Sequence, residues 1–436
     1  MVAPRLLPFD AHNHIQLGPP PPSPFVLSPP PEIPHHEPPT VLGNPTEIDR
    51  NEENNGASGH VRTNDVSNEE FLVRSLSEYI RHELRGKHLS GMALMATHPR
   101  DFATLLGLER ELQQADRDVA ESISKGGEQN GDGNGEDDEA SADEEATTMK
   151  LVPCLGVHPW FLHELDADGD WEPVPSPHCA ASSPPDLHGA APAMVPRWIA
   201  NLESILASHP HLSVGEIGLD NFHFDPVTKE LTTPMDKQVE AFKLQLEVAV
   251  RWRRPVSLHC VRAMGKLVNV LDDVAEENFR RLSTIWNDEN GMNTGDDDCR
   301  NDWGQAWERH ILPPRIYFHA FGGKAATATQ LINTLEKPRR IKIRGATSKN
   351  KKFTSVVTPK IYFGFAPPVN FQSPKTASVI RAVGLERLVL ETDREDIRMI
   401  GADMEAGTAW ISEVLGITKD ELVLATNNNA RDLYGY

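Results

Sequence analysis

Residues 6–14 read LLPFDAHNH, a short apolar run that breaks into Asp10, His12 and His14. In an extended segment, positions i and i+2 project to the same side, so both imidazoles can reach one point. The same shape recurs along the chain. Apolar runs at 89–96 (LSGMALMA), 151–157 (LVPCLGV), 212–217 (LSVGEI), 255–260 (PVSLHC), 315–320 (RIYFHA), 360–365 (KIYFGF) and 387–392 (RLVLET) complete a set of eight strand candidates. Helical patterns fill the gaps. Leu72, Leu76, Ile80 and Leu84 form an i, i+4 stripe behind the capping-box pattern Ser67-x-x-Glu70. Val239, Phe242, Leu246 and Val250 share a face within 238–252, and residues 378–383, 408–415 and 420–433 also read as helical. Eight alternations of strand and helix predict an α/β fold with a parallel sheet, and eight is the number that closes a (β/α)8 TIM barrel. An open doubly wound sheet is the alternative. No GxGxxG follows the first run, so the dinucleotide-binding form of that sheet has no support.

The rest of the chain reads as insertions into one domain spanning residues 1–436. Residues 19–66 are Pro-rich and then polar, with eleven prolines between 19 and 40, a composition for extended, unpacked chain. Residues 119–149 are acidic, and the stretch 126–149 holds nine Asp/Glu and no Lys/Arg, which predicts disorder. Residues 165–195 are rich in Pro, Ser and Ala. Residues 286–310 are acidic, with Trp303 and Trp307 spaced for a short helix. Residues 337–352 hold eight Lys/Arg and no acid. This basic run lies between a helix and the seventh strand, which puts it at the barrel end opposite the strand C-termini. Targeting or partner binding suits that position better than contact with substrate; a solvated loop is the plain alternative.

A formal net charge of −21 repels nucleic acid and anionic membranes at long range. A polyanionic substrate therefore needs local compensation, most simply from metal ions. No run approaches the eighteen or so apolar residues of a membrane span, so a soluble protein is expected. The N-terminus lacks an apolar stretch of signal-peptide length, which predicts a cytoplasmic or nuclear location. Cys154, Cys179, Cys260 and Cys299 form no CxxC pair, in keeping with a reduced compartment and no thiolate zinc site.

In a barrel, catalytic groups stand at the C-terminal ends of the strands. The first run gives His12 and His14 there, the fourth Glu216, the fifth His259, the sixth His319 and the eighth Asp393. Imidazole with carboxylate suits first-row divalent ions and magnesium-like ones, and a central carboxylate can bridge two of them. Each residue alone has a duller explanation: a hydrogen-bonded histidine, a turn aspartate, a helix cap. Six such groups at the same end of five strands point together to a two-metal hydrolase.

DAHNH, GVHPW (156–160), GEIGLD (215–220), PVSLHC, HAFGG (319–323), LETD (390–393) and NNARDLYG (428–435) stand in an order that resembles the signature blocks of the TatD family of metal-dependent hydrolases. The resemblance implies an amidohydrolase-like TIM barrel with deoxyribonuclease activity and two divalent ions, Mg, Mn or Zn. It implies one ion on His12, His14, Glu216 and Asp393, the second on Glu216, His259 and His319, and Asp393 taking the proton of the attacking water. DNA is then the expected substrate. The Pro-rich, inserted form is similar to a fungal branch described as interacting with a subunit of the anaphase-promoting complex, which implies that complex as a partner. Where the family usually carries an Arg two residues past the strand-five histidine, Val261 stands here, with Arg262 beside it. Trp160, Asn221 and Arg394-Glu395 also depart from the pattern. These changes fall on the substrate side, where His158 and Arg262 are the candidates for contact, and Asp220 is a candidate support for a metal-binding histidine. Two other functions stay open: a scaffold that keeps the barrel as architecture, and an amidohydrolase acting on a small cyclic amide or ester.

Overall fold

The computed structural model describes residues 6–14, 68–126, 149–177, 194–289, 310–342 and 353–436. Eight strands form one sheet in chain order: β1 (Phe9–Asn13), β2 (Gly91–Met95), β3 (Lys150–Leu155), β4 (Ser213–Asp220), β5 (Val256–Val261), β6 (Arg315–Phe318), β7 (Lys360–Gly364) and β8 (Leu388–Val389). Every neighbouring pair is parallel. The sheet comes round on itself where the Ala11 N–H donates to the Leu390 carbonyl (2.8 Å) and the Asp393 N–H to the His12 carbonyl (3.1 Å). A helix follows each strand: α1 (Asn68–Tyr79), α2 (Asp101–Gly126), α3 (Arg197–Ser208), α4 (Met235–Arg251), α5 (Met264–Glu289), α6 (Ala325–Leu335), α7 (Thr376–Val383) and α8 (Ile400–Leu415). A ninth, α9 (Lys419–Tyr434), ends the chain. The (β/α)8 barrel predicted from the eight runs is the observed fold.

The strands bury both faces, as a parallel sheet under helices must. Alternate residues divide between two apolar layers. Phe9, Ala11, Ala93, Met95, Val152, Cys154, Tyr317, Tyr362 and Val389 belong to one cluster with Ala430, Leu433 and Tyr434 of α9. Their neighbours in sequence, such as Met92, Leu94, Leu151, Ile316 and Ile361, pack in the larger cluster with Phe242, Leu246, Leu267 and Leu331 of the surrounding helices. Helix α9 starts at a reciprocal capping box. The Thr418 hydroxyl accepts from the Glu421 N–H (3.2 Å) and the Glu421 carboxylate from the Thr418 N–H (2.8 Å), an arrangement worth about 1 kcal/mol. The helix is tied to β1 where the Phe9 N–H donates to Asn427 (2.8 Å) and the Tyr434 hydroxyl donates to the Ala11 carbonyl (2.5 Å). The NNARDLYG block is therefore structural.

Two glycines are dictated by close approach. Gly218 lies at φ +152°, and a Cβ there would stand 2.0 Å from the His259 carbonyl oxygen; a Cβ on Gly364 would meet the Tyr317 hydroxyl at 2.2 Å.

Parts of the insertions are ordered. Helix α2 continues through residues 119–126. Within 165–195, Pro173–Pro175 pairs antiparallel with Met194–Pro196, and within the basic run Arg340–Lys342 pairs with Phe353–Ser355. The i, i+4 stripe ending α1 carries on into a π-helical turn, Ile80–Leu84, with Ile80 and Leu84 buried. The expected capping box at Ser67, the helix around Trp303 and Trp307, all of 19–66 and residues 127–148 of the acidic stretch fall outside the described residues. The chain divides into Leu17–Leu72 and the remainder, and only the start of α1 represents the former among the described residues. None of the described helices is long and apolar enough to cross a membrane.

Candidate metal centre

Glu216 on β4 is buried, and its two carboxylate oxygens are met by histidines from three other strands. From β1 and its end, His12 Nε2 lies 3.3 Å and His14 Nε2 2.7 Å from Oε2. From β5 and the end of β6, His259 Nδ1 lies 2.8 Å and His319 Nε2 2.5 Å from Oε1. Asp393, just past β8, holds Oδ1 3.9 Å from the Nε2 atoms of both His12 and His14. All six strand-end residues singled out in the sequence thus gather around one carboxylate. Asp393 sits in the left-handed region at φ +52°, as do Arg262 (+51°) and Ala320 (+39°) at the ends of β5 and β6. Such backbone costs about 1–3 kcal/mol per residue and collects where geometry serves a site.

Outer partners set the direction of the rings. The His12 Nδ1 is 2.9 Å from the Ser257 hydroxyl, and His259 Nε2 is 2.9 Å from Asp220 Oδ2. A proton on His259 Nε2, donated to Asp220, leaves the Nδ1 lone pair aimed at Glu216; the same logic aims His12 Nε2 inward. Asp220 also accepts from the Trp160 indole N–H (2.8 Å) and from the Phe222 and His223 amides (2.6 and 2.9 Å). Burial would raise its carboxyl, but the bonds from His259 and Trp160 hold it down, at about 2. Trp160, one of the positions that depart from the family pattern, is thus tied to the support of a site histidine, and its ring stacks on His223 with centroids 4.5 Å apart.

The electrostatics keep Glu216 ionised among the rings. Burial alone would raise the Glu216 carboxyl, yet His319, His12, His158 and His259 together hold it well below the usual carboxylate range. Burial likewise pushes His319 down, and Glu216 outweighs it, raising the ring to about 10. His12 goes the other way, to about 4, under burial and the neighbouring His319. Inward ring nitrogens face one another at 3.1 Å (His12 and His14 Nε2) and 3.3 Å (His259 Nδ1 and His319 Nε2). Ligand atoms sharing one first-row cation stand about 3–3.5 Å apart at bond lengths near ~2.1 Å. The residues present fit divalent metal. Among the described residues, His12–His14–Glu216, His158–Glu216–His259 and His12–His319–Glu391 are the groups whose donor atoms lie within 4.8 Å of one another.

Glu391 was not singled out in the sequence. It is buried, accepts from the Ala320 N–H (2.7 Å) and from the Tyr317 hydroxyl, and is raised to about 8 by burial and then by Asp393. The signal was available: Glu391 and Asp393 are i, i+2, as His12 and His14 are. His158, after β3, is buried with Nε2 3.8 Å from Glu216 Oε1, and its Nδ1 accepts from the Trp160 N–H at 3.2 Å. That bond leaves the ring's proton on Nε2, facing the site. Arg262 is exposed, and its guanidinium lies over the Phe222 ring at 3.7 Å.

A barrel of eight parallel strands with imidazoles and carboxylates converging at the strand C-termini defines an amidohydrolase-like class of metal-dependent hydrolases. The chain belongs to the TatD related DNase family, whose sequence model matches residues 77–435. It is similar to the Cut9-interacting protein scn1 of Schizosaccharomyces pombe, 22% identical over 306 residues that cover 65% of this chain and 83% of the relative. Among solved structures it is similar to YJJV, a TatD homologue from Escherichia coli K12, with 18% identity, a TM-score of 0.45, and coverage of 83% of this chain and 93% of that one. A TatD family hydrolase from Entamoeba histolytica is 14% identical, also at a TM-score of 0.45, covering 83% and 88%.

Proposed function

We propose that the protein is a deoxyribonuclease that hydrolyses phosphodiester bonds with two divalent ions. The observation that carries this reading is Glu216, whose two oxygens each face their own pair of histidines. One ion would be held by His12, His14, Glu216 and Asp393, the other by Glu216, His259 and His319. When bound, divalent ions lower the pKa of a coordinated water and offset charge on phosphoryl oxygens. The protein's own groups do the rest. Asp393, partly open to solvent, positions the attacking water and accepts its proton, general-base work for a carboxylate. His158 offers its Nε2–H to a substrate oxygen. Arg262, held over Phe222 at the rim, offers a charge to a flanking phosphate. With a net charge of −21, substrate binding should depend on added divalent ion more than on long-range attraction.

A second reading rests on the fission-yeast relative, which is named for interaction with Cut9. A role as a binding partner within a cell-cycle complex is compatible with hydrolysis or replaces it. The test is release of nucleotides from end-labelled single- and double-stranded DNA by metal-loaded protein. Wild type should release nucleotides, and Asp393→Asn, which keeps the shape but not the charge, should fall by roughly a hundredfold in turnover. No release by fully loaded wild type would leave the binding role alone.

A further inference from the structure

At the barrel end opposite the histidines lies a cleft of about 780 Å³. It is formed by the end of α3, by the segments that lead into β4, β5, β6 and β7, and by α9. Its lining carries five cations (Arg251, Arg253, Arg254, Arg315 and Lys360) and one carboxylate, Asp432; Arg251 is already paired with the buried Glu203 behind the wall, which leaves four cations to that one carboxylate. That excess is local and runs against the charge of a chain that is strongly acidic overall.

Most of these cations are held in place without being fully used. Arg315 donates to Asp432 Oδ1 through Nε and Nη2, both at 3.2 Å, and Lys360 donates to Oδ2 at 2.7 Å, so one carboxylate serves two charges. The Arg254 guanidinium donates to the carbonyls of Pro210 and Leu206, while its Nε is buried with no hydrogen-bond partner among the described residues. The His310 Nδ1 is buried and likewise has no partner among the described residues. The Arg253 side chain is exposed and has no carboxylate partner among the described residues. Between the cations the wall is apolar, with Pro210, Pro314 and Val357, the last 40% exposed. Fixed donors alternating with aliphatic surface match a ligand that alternates carboxylates with apolar side chains.

We propose that this cleft binds a short acidic segment of a partner protein, one that intersperses Asp or Glu with apolar residues. The volume exceeds what a single small anion fills, and the position excludes the substrate of the metal centre. A nucleic-acid strand fits less well, because its regular charge extends past the cleft into the negative field of the chain, and proline and valine offer no surface for stacked bases. The proposal stands apart from the hydrolytic reading.

The test is fluorescence anisotropy on the full-length, metal-loaded protein. The probe is a short labelled peptide of Asp, Glu and Leu, set against its Asn/Gln counterpart and an oligothymidylate of equal length. The acidic peptide should bind, weaken with added salt, and bind roughly five- to tenfold less well to Arg253→Glu, while the neutral peptide does not bind. Arg253→Gln should give an intermediate loss; metal content and thermal midpoint report that both variants are folded. Equal affinity for wild type and Arg253→Glu, or no binding to wild type, overturns the proposal. Tighter binding of the oligothymidylate overturns it in favour of nucleic acid. Binding seen only after deletion of residues 128–145 contradicts a partner in trans and assigns the cleft to the chain's own acidic segment.

Discussion

At the C-terminal end of the strands, four histidines crowd a buried glutamate; at the other end, four arginines and a lysine line a cleft with a half-exposed aspartate, which pairs with Arg315 and Lys360. Both ends concentrate one kind of charge, but they are built differently. The histidine end is assembled from residues within strands or directly past them, each fixed by parallel neighbours; Gly218, for example, stands in register with His259. The basic end is assembled from residues that precede strands or begin them, held by side-chain bonds to Asp432 and to the Leu206 and Pro210 carbonyls. The first construction fixes donor atoms to within a fraction of an ångström, as metal chemistry requires. The second leaves charges near solvent, where they select a partner by complementarity.

The comparison predicts effects of different size and kind. Asp220 acts only through other residues, holding His259 Nε2 and the Trp160 indole. Asp220→Asn should therefore weaken metal affinity by about ten- to a hundredfold, measured by competition with a chelator. Unchanged affinity would mean that the His259 ring is fixed by packing alone. At the basic end, burial opposes ionisation of Asp432, but bonds from Lys360 and Tyr362 lower its carboxyl to about 2 from an ordinary 3.8. A depressed carboxyl stabilises the fold above its unfolded pKa and loses that contribution as pH falls through the folded value. The difference in thermal midpoint between wild type and Asp432→Asn should then be largest near neutrality and shrink from about pH 4 towards about pH 2. Because Asp432 is largely solvated, the difference should be a few degrees or less. A gap that widens in acid would contradict the assignment.

The histidine end was legible in the sequence because its residues terminate the apolar runs that also define the strands. PVSLHC announces a strand and a ligand in the same six letters. Glu391 was missed because LETD was read for its last residue, although alternation places both carboxylates on one side. The bond from Trp160 to Asp220 joins residues sixty positions apart and has no local signature. The basic cleft was hidden for a similar reason. Arg251, Arg253 and Arg254 are visible as RWRR, but Arg315, Lys360 and His310 join them only when three strand entrances meet at one end of the barrel. Composition left the ordered parts of the insertions unread: α2 runs on to Gly126, and short antiparallel pairs form at 173–175 with 194–196 and at 340–342 with 353–355.

The central claim is that Glu216 joins two metal positions into one centre. Elemental analysis of purified wild type and Glu216→Ala, both confirmed as folded by circular dichroism, tests it directly. The account predicts two divalent ions per wild-type chain and loss of both in the variant, since each set of histidines shares that carboxylate. Unchanged stoichiometry in Glu216→Ala would contradict it.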